Sequence, residues 1–199
     1  MNDTYLTIAS PAGGNYKDKG SRFIAKVFPV HTEEEVKEHL ASLKKEYYDA
    51  RHHCYAWMLG YDQTNYRFND DGEPSGTAGR PIYGQILSAG ITNVLVVVVR
   101  YFGGTKLGVR GLINAYKCAS QHAIENAEIV SRVRENSHSI TFGYACMNEV
   151  MKIIKDYNLS ITQQASGMDC MLRFSVRMGL EAEVLSQLNK IQGLSIIKN

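Results

Sequence analysis

Residues 94–99, Val-Leu-Val-Val-Val-Val, are apolar at every position, and all but Leu95 are β-branched. Alternate side chains of a strand point to opposite faces, so an unbroken apolar run reads as a strand buried on both faces. Such a strand has to be covered above and below, and a hydrophobic content of 44% is ample for that core. The run leads straight into Arg100-Tyr101-Phe102-Gly103-Gly104-Thr105-Lys106-Leu107-Gly108, after which a helix is expected over residues 109–127. Backbone N–H groups at the start of a helix are unpaired and favour anions. The turn is not a nucleotide loop. A P-loop needs Ser or Thr after its lysine, whereas Leu107 follows Lys106, and the three-glycine Rossmann spacing is absent. Two readings of Gly103 and Gly104 stand: an anion site, or glycines placed for tight packing.

A second glycine-rich stretch lies about twenty residues earlier, at Asn69-Asp70-Asp71-Gly72-Glu73-Pro74-Ser75-Gly76-Thr77-Ala78-Gly79-Arg80-Pro81. It holds three acids, three glycines and two prolines, with Ala78 as the sole apolar side chain. No helix or strand interior is built this way, because glycine frees the backbone, proline restricts it, and Asp and Ser bond their own main chain.

Net charge is only +2, but its distribution is uneven. From Pro74 through Ile124 there is no Asp or Glu, while Arg80, Arg100, Lys106, Arg110 and Lys117 all fall inside. That segment presents a positive potential whatever the whole-chain balance. On the helix after the turn, Arg110, Asn114, Lys117 and Gln121 share one face, opposite Leu112, Ala115, Tyr116, Ala119 and Ala123. No run is long and apolar enough for a membrane span, and the N-terminus lacks the features of a signal peptide. Cys54, Cys118, Cys146 and Cys170 have no zinc-knuckle spacing and imply reduced thiols in a cytoplasmic protein. No metal or cofactor is expected.

The remaining pattern is α+β. Strands are expected over residues 4–9 and 22–29, with a turn at Ala12-Gly13-Gly14. Thr32 with Glu35 forms a capping box for a helix carrying Val36, Leu40, Leu43 and Tyr47. Residues 55–61 and 66–68 suit a hairpin, and residues 81–89 a helix that Gly90 ends. From about Arg134 the pattern resets. Ile140, Phe142 and Tyr144 alternate, a helix stripe follows, two strands flank Ser166-Gly167-Met168-Asp169, and a second helix and last strand close the chain. That order, βαββαβ, is the ferredoxin-like signature, so two domains are expected, 1–134 and 135–199.

Among candidates for chemistry, Asp70, Asp71 and Glu73 suit a divalent cation, acid–base work or plain turn formation. His52 and His53 precede a strand, where neighbours point to opposite faces, so they do not jointly grip one metal. Ser75 lies outside any nucleophile elbow. Tyr101 and Phe102 sit beside cations at the strand exit, placed to stack on a base or to pack in the core.

Residues 70–81 and 98–108 resemble the two signatures of the IMPACT/YigZ family, and Ala50-Arg51-His52-His53-Cys54-Tyr55-Ala56 matches that family's pattern as well. The likeness spans almost all of residues 1–134, while 135–199 resembles the smaller C-terminal domain of the bacterial members. The resemblance implies an N-terminal domain like the second domain of a small-subunit ribosomal protein and the fourth domain of elongation factor G, followed by a ferredoxin-like domain. Eukaryotic members regulate translation under amino-acid starvation by competing for an activator of a kinase. They carry a further N-terminal protein-binding domain for which no counterpart is expected here.

The leading expectation is a non-catalytic protein that contacts RNA or the ribosome. Arg80, Arg100, Lys106, Arg110 and Lys117 would meet phosphates, Tyr101 or Phe102 would stack, and backbone N–H groups around Gly103 and Gly104 would add anion affinity. In that reading Asp70, Asp71, Glu73, Ser75, Thr77, His52 and His53 form the family-motif loop. The alternatives are a protein-interaction module and an enzyme on a small anionic substrate.

Overall fold

The computed structural model describes residues 3–167 and 169–197. The elements run β1 (Thr4–Ile8), β2 (Ala12–Asp18), β3 (Ser21–Pro29), α1 (Glu33–Glu46), β4 (His52–Leu59), β5 (Asn65–Asn69), α2 (Gly79–Ala89), β6 (Val94–Tyr101), α3 (Gly108–Glu125) and β7 (Ile129–Val133). They continue with β8 (Glu135–Phe142), α4 (Met147–Asp156), β9 (Ser160–Ser166), β10 (Cys170–Arg177), α5 (Glu181–Leu188) and β11 (Leu194–Ile197). Contacts divide the chain into two compact units, one of residues 5–132 and the other of Asp3 and Thr4 with the described residues from Val133 on.

The larger unit is built on an antiparallel five-stranded sheet in the order β2-β3-β6-β4-β5. The apolar run lies in its central strand, β6, and both faces are covered. Val94, Val96 and Val98 pack with Ile82 and Ile86 of α2 and with Leu112, Ala115, Tyr116 and Ala119 of α3. Leu95 and Val97 face the other way, under α1, with Val36, Leu43, Trp57 and Leu59. Both β5 and β6 run antiparallel to β4, so they leave the sheet at the same end, and each is followed by a glycine turn and a helix. The helix α1 begins as its capping box predicts. Thr32 Oγ1 accepts from the Glu35 N–H at 3.2 Å, and Glu35 reaches back to the His31 N–H at 2.8 Å. Gly90 ends α2 in the left-handed conformation, with φ of 65°.

Three expectations about local structure are corrected. Ala12, Gly13 and Gly14 do not turn but lie inside β2. The glycine at 14 is needed because α3 crosses there, and a Cβ would sit 2.5 Å from the Ala123 nitrogen. The turn falls instead at Lys19 and Gly20, both at positive φ. His52 and His53 do not precede β4 but open it, paired with Arg100 and Val99 of β6. Tyr144 leaves the alternation of β8 for a short helical turn and is exposed.

In the smaller unit, β8 to β11 form an antiparallel sheet in the order β11-β8-β10-β9. Leu172, Phe174 and Val176 of β10 point inward onto Val150 and Ile154 of α4 and Val184 and Leu188 of α5. Of the turn expected at Ser166-Gly167-Met168-Asp169, Met168 lies outside the described residues. Arg177 ties Asp3 into this unit, its Nε and Nη2 donating to the carboxylate at 2.5 and 2.7 Å. None of the helices, among the described residues, is long and apolar enough to cross a membrane.

Candidate functional site

The loop between β5 and α2 is organised by its own acids. Asp70 Oδ1 accepts from the N–H groups of Ala78 at 2.9 Å and Gly79 at 2.8 Å, and Oδ2 accepts from Gly76 at 2.8 Å. A carboxylate from the loop therefore occupies the N-terminus of α2, where Ala78 supplies no side-chain cap. Asp71 staples the other side. Its carbonyl accepts from His52 Nδ1 at 2.9 Å, which sets the Nδ1–H tautomer, and its carboxylate accepts from the His53 backbone N–H at 2.6 Å. Thr77 is buried, its hydroxyl on the Pro74 carbonyl at 2.6 Å, while Ser75 is exposed. Oxygens of Asp70 and Asp71 thus bond the main chain of the turn, and Asp71 Oδ2 also lies 4.0 Å from His53 Nδ1. Among the described residues no group of three or more His, Cys, Asp or Glu is placed to hold a metal.

Glu73 turns inward. Arg100 Nη1 donates to its Oε1 at 2.6 Å and the Tyr116 hydroxyl donates to the same oxygen at 2.8 Å. The side chains of Arg100 and Glu73 are only 8% and 3% exposed. Cys54 Sγ lies 3.3 Å from the Tyr116 hydroxyl and 3.0 Å from the Asp70 carbonyl, linking this pair to the loop. Burial pushes the Tyr116 phenol and the Cys54 thiol far up, so both remain protonated donors. The Arg100 guanidinium lies 5.5 Å from the Phe23 ring and 5.8 Å from the Phe102 ring. Arg100 is corrected accordingly: its charge is neutralised in the interior and does not reach a phosphate.

The turn after β6 divides by residue. Gly103 packs against the β2–β3 turn so tightly that a Cβ would lie 1.9 Å from the Gly20 carbonyl carbon, and its N–H donates to Ser21 Oγ at 3.1 Å. It is a packing glycine, which corrects its place in an anion site. Gly104 has φ of 87° and open space around it, so its need for glycine is conformational. Tyr101 is engaged as well. Its hydroxyl donates to Asp49 Oδ1 at 2.7 Å, a bond that holds the phenol up at about 12, and Arg22 lies 5.7 Å from its ring centre. Phe102 is 58% exposed.

The cations that stay outside are Arg80 in the first turn of α2, Lys106 in the turn, and Arg110 and Lys117 on α3, all exposed. None of the four makes an ion pair among the described residues. Both helices begin at the same end of the sheet, yet only α2 has its N-terminus filled by a carboxylate. In α3 neither a side-chain cap nor an acid stands in the first turn.

Cys54, Tyr116 and Asp49 are the partners that sequence reasoning missed. Each bonds a residue dozens of positions away, and nothing local marks it.

Residues 19–124 match the Impact N-terminal domain family. Over 116 residues the chain is 41% identical to the IMPACT family member YigZ of Escherichia coli (strain K12), covering 57% of each protein. Over 132 residues it is 36% identical to YvyE of Bacillus subtilis (strain 168), covering 66% of this chain and 61% of that one. An IMPACT family member of Haemophilus influenzae is 35% identical over 164 residues, 80% of this chain and 79% of the relative. The matches to YigZ and YvyE thus span under two thirds of those relatives' length. A crystal structure of a hypothetical protein superposes on 100% of the chain and 98% of its own, with a TM-score of 0.77 and 28% identity. The family match over more than half of the chain and the Haemophilus relative covered to 79% agree: the chain belongs to the IMPACT family.

Proposed function

We propose that this protein binds structured RNA, such as that of the ribosome, through the surface formed by the turn after β6, the exposed face of α3 and the first turn of α2, and that it modulates translation from the cytoplasm without catalysing a reaction. The observation that carries the reading is the set of four exposed cations, Arg80, Lys106, Arg110 and Lys117, with no ion pair among the described residues and on a stretch of chain without a carboxylate. An ordinary solvated helix face mixes signs, and this one does not until Glu125. The open N-terminus of α3 adds backbone donors at the same place.

The finer fold assignments belong with this proposal. The strand order β11-β8-β10-β9 supports a ferredoxin-like C-terminal domain, and a sheet with two neighbouring helices supports kinship of the N-terminal domain with the ribosomal protein and elongation factor domains. An enzyme on a small anionic substrate is disfavoured, because the loop carboxylates and Arg100 are spent on one another and on the main chain.

Co-sedimentation with ribosomes and their separated subunits across a salt series tests the proposal. Four phosphate contacts predict a log–log salt slope of about −3, roughly a 50- to 100-fold loss of affinity between 50 and 200 mM. Reversing Arg110 and Lys117 to Glu should abolish pelleting. Unchanged affinity of that variant would refute the assignment, and a protein-interaction module would become the better reading.

A further inference from the structure

We infer that the aromatic patch formed by Tyr66 and Phe68 of β5 with Tyr83 of α2 is a stacking platform for unpaired nucleobases of an RNA strand. The inference rests on the RNA-binding reading and moves its base-stacking element away from Tyr101 and Phe102.

β5 is the edge strand of the larger sheet, and all five of its residues are exposed. Its even-numbered side chains lie on the face that carries α2, since Tyr66 pairs with Met58 and Phe68 with Ala56, both core residues of that face. The Tyr66 and Tyr83 rings stack with centroids 4.5 Å apart and planes at 20°, and Phe68 leans on Tyr83 at 5.8 Å. Rings that served only to seal the sheet edge would be buried, yet Tyr66 is 47% and Phe68 39% exposed. Tyr83 stacks on one face of Tyr66, and with 47% of Tyr66 still exposed a base added to the stack would be its third ring.

The charge around the patch favours a nucleic acid over an acidic or apolar partner. Arg80, exposed in the first turn of α2, precedes Tyr83 by one helical turn; Arg67 pairs with Trp57 and lies on the opposite face of the sheet. The strand carries no carboxylate, α2 carries none, and the neighbouring Asp70 is held by three backbone N–H groups. Aromatic rings with an exposed arginine on the same side provide base stacking with phosphate contact alongside, which is how single strands are held without base-specific hydrogen bonds.

The full chain can be titrated by fluorescence anisotropy with a labelled twelve-residue oligouridylate and with an abasic strand of equal length and charge. The wild type should favour the oligouridylate by at least about fivefold, within the range that one stacked base contributes. Tyr66→Ala should remove that preference and leave the abasic affinity unchanged, while Tyr66→Phe should keep it. Tyr66 is the probe because it is exposed, and Tyr83→Phe serves as a second variant that preserves packing. Equal wild-type affinity for the two strands, or a Tyr66→Ala loss shared by both, would overturn the platform. Ribosome pelleting without oligouridylate binding would also overturn it while the RNA-binding reading survived. Binding to neither would remove both.

Discussion

Replacing Glu73 by Leu should show how much of the larger unit depends on one buried charge. The carboxylate is the partner of a guanidinium that is itself buried, and it also accepts from the Tyr116 hydroxyl. Removing it leaves Arg100 charged in the interior, with Nε already lacking a partner, and leaves a buried hydroxyl without its acceptor. Breaking a buried ion pair from one side costs about 3–5 kcal/mol. An orphaned polar group adds about 1–3 kcal/mol, though the two overlap because they share one oxygen. We expect a loss of about 4 kcal/mol, or on the order of 12 °C in Tm at roughly 3 °C per kcal/mol. Urea unfolding followed by Trp57 fluorescence is the natural assay, since the single tryptophan is buried beneath α1 in the same unit. The control is the triple variant Glu73→Leu, Arg100→Met, Tyr116→Phe, which removes the whole polar group and should return to within about 2 kcal/mol of wild type. A single-variant loss under about 1 kcal/mol would refute the reasoning. So would a triple variant as unstable as the single, because the cost would then come from packing and not from uncompensated charge.

Two further outcomes follow from the geometry. Gly103→Ala should cost about 2–3 kcal/mol in the same urea assay, because its Cβ cannot fit beside Gly20 without moving the β2–β3 turn; Gly104→Ala, in open space, should report only the strain of its positive φ. Asp3 should titrate at about 2 rather than 3.8, held down chiefly by its bond to Arg177. A depressed carboxyl pKa adds stability above the unfolded value, and that stability is lost as pH falls from about 4 to about 2. An NMR titration of the Asp3 carboxyl carbon reads this directly, and a midpoint at the ordinary value would exclude the pair in solution.

The elements of this protein were legible wherever their cause is local. An apolar run named the central strand and its two covered faces, Thr32 with Glu35 named the start of α1, Gly90 named the end of α2, and alternation named the inward side of β10. Each signal is carried by residues within a few positions of one another, where backbone sterics and side-chain period act directly. The candidate site was legible only in part. The cations of the acid-free stretch could be counted from the sequence, but not which of them stays in solvent. Arg100 and Arg80 look alike in a string of letters, and only the fold brings Glu73 to the former across 27 positions and leaves the latter exposed. Likewise nothing in the local sequence separates a turn or anion-binding glycine from the packing glycines at 14 and 103, against which α3 and the β2–β3 turn lie. Burial, charge neutralisation and close backbone approach depend on segments distant in sequence, so it was the tertiary structure that decided which loop residues hold the fold and which stay in solvent.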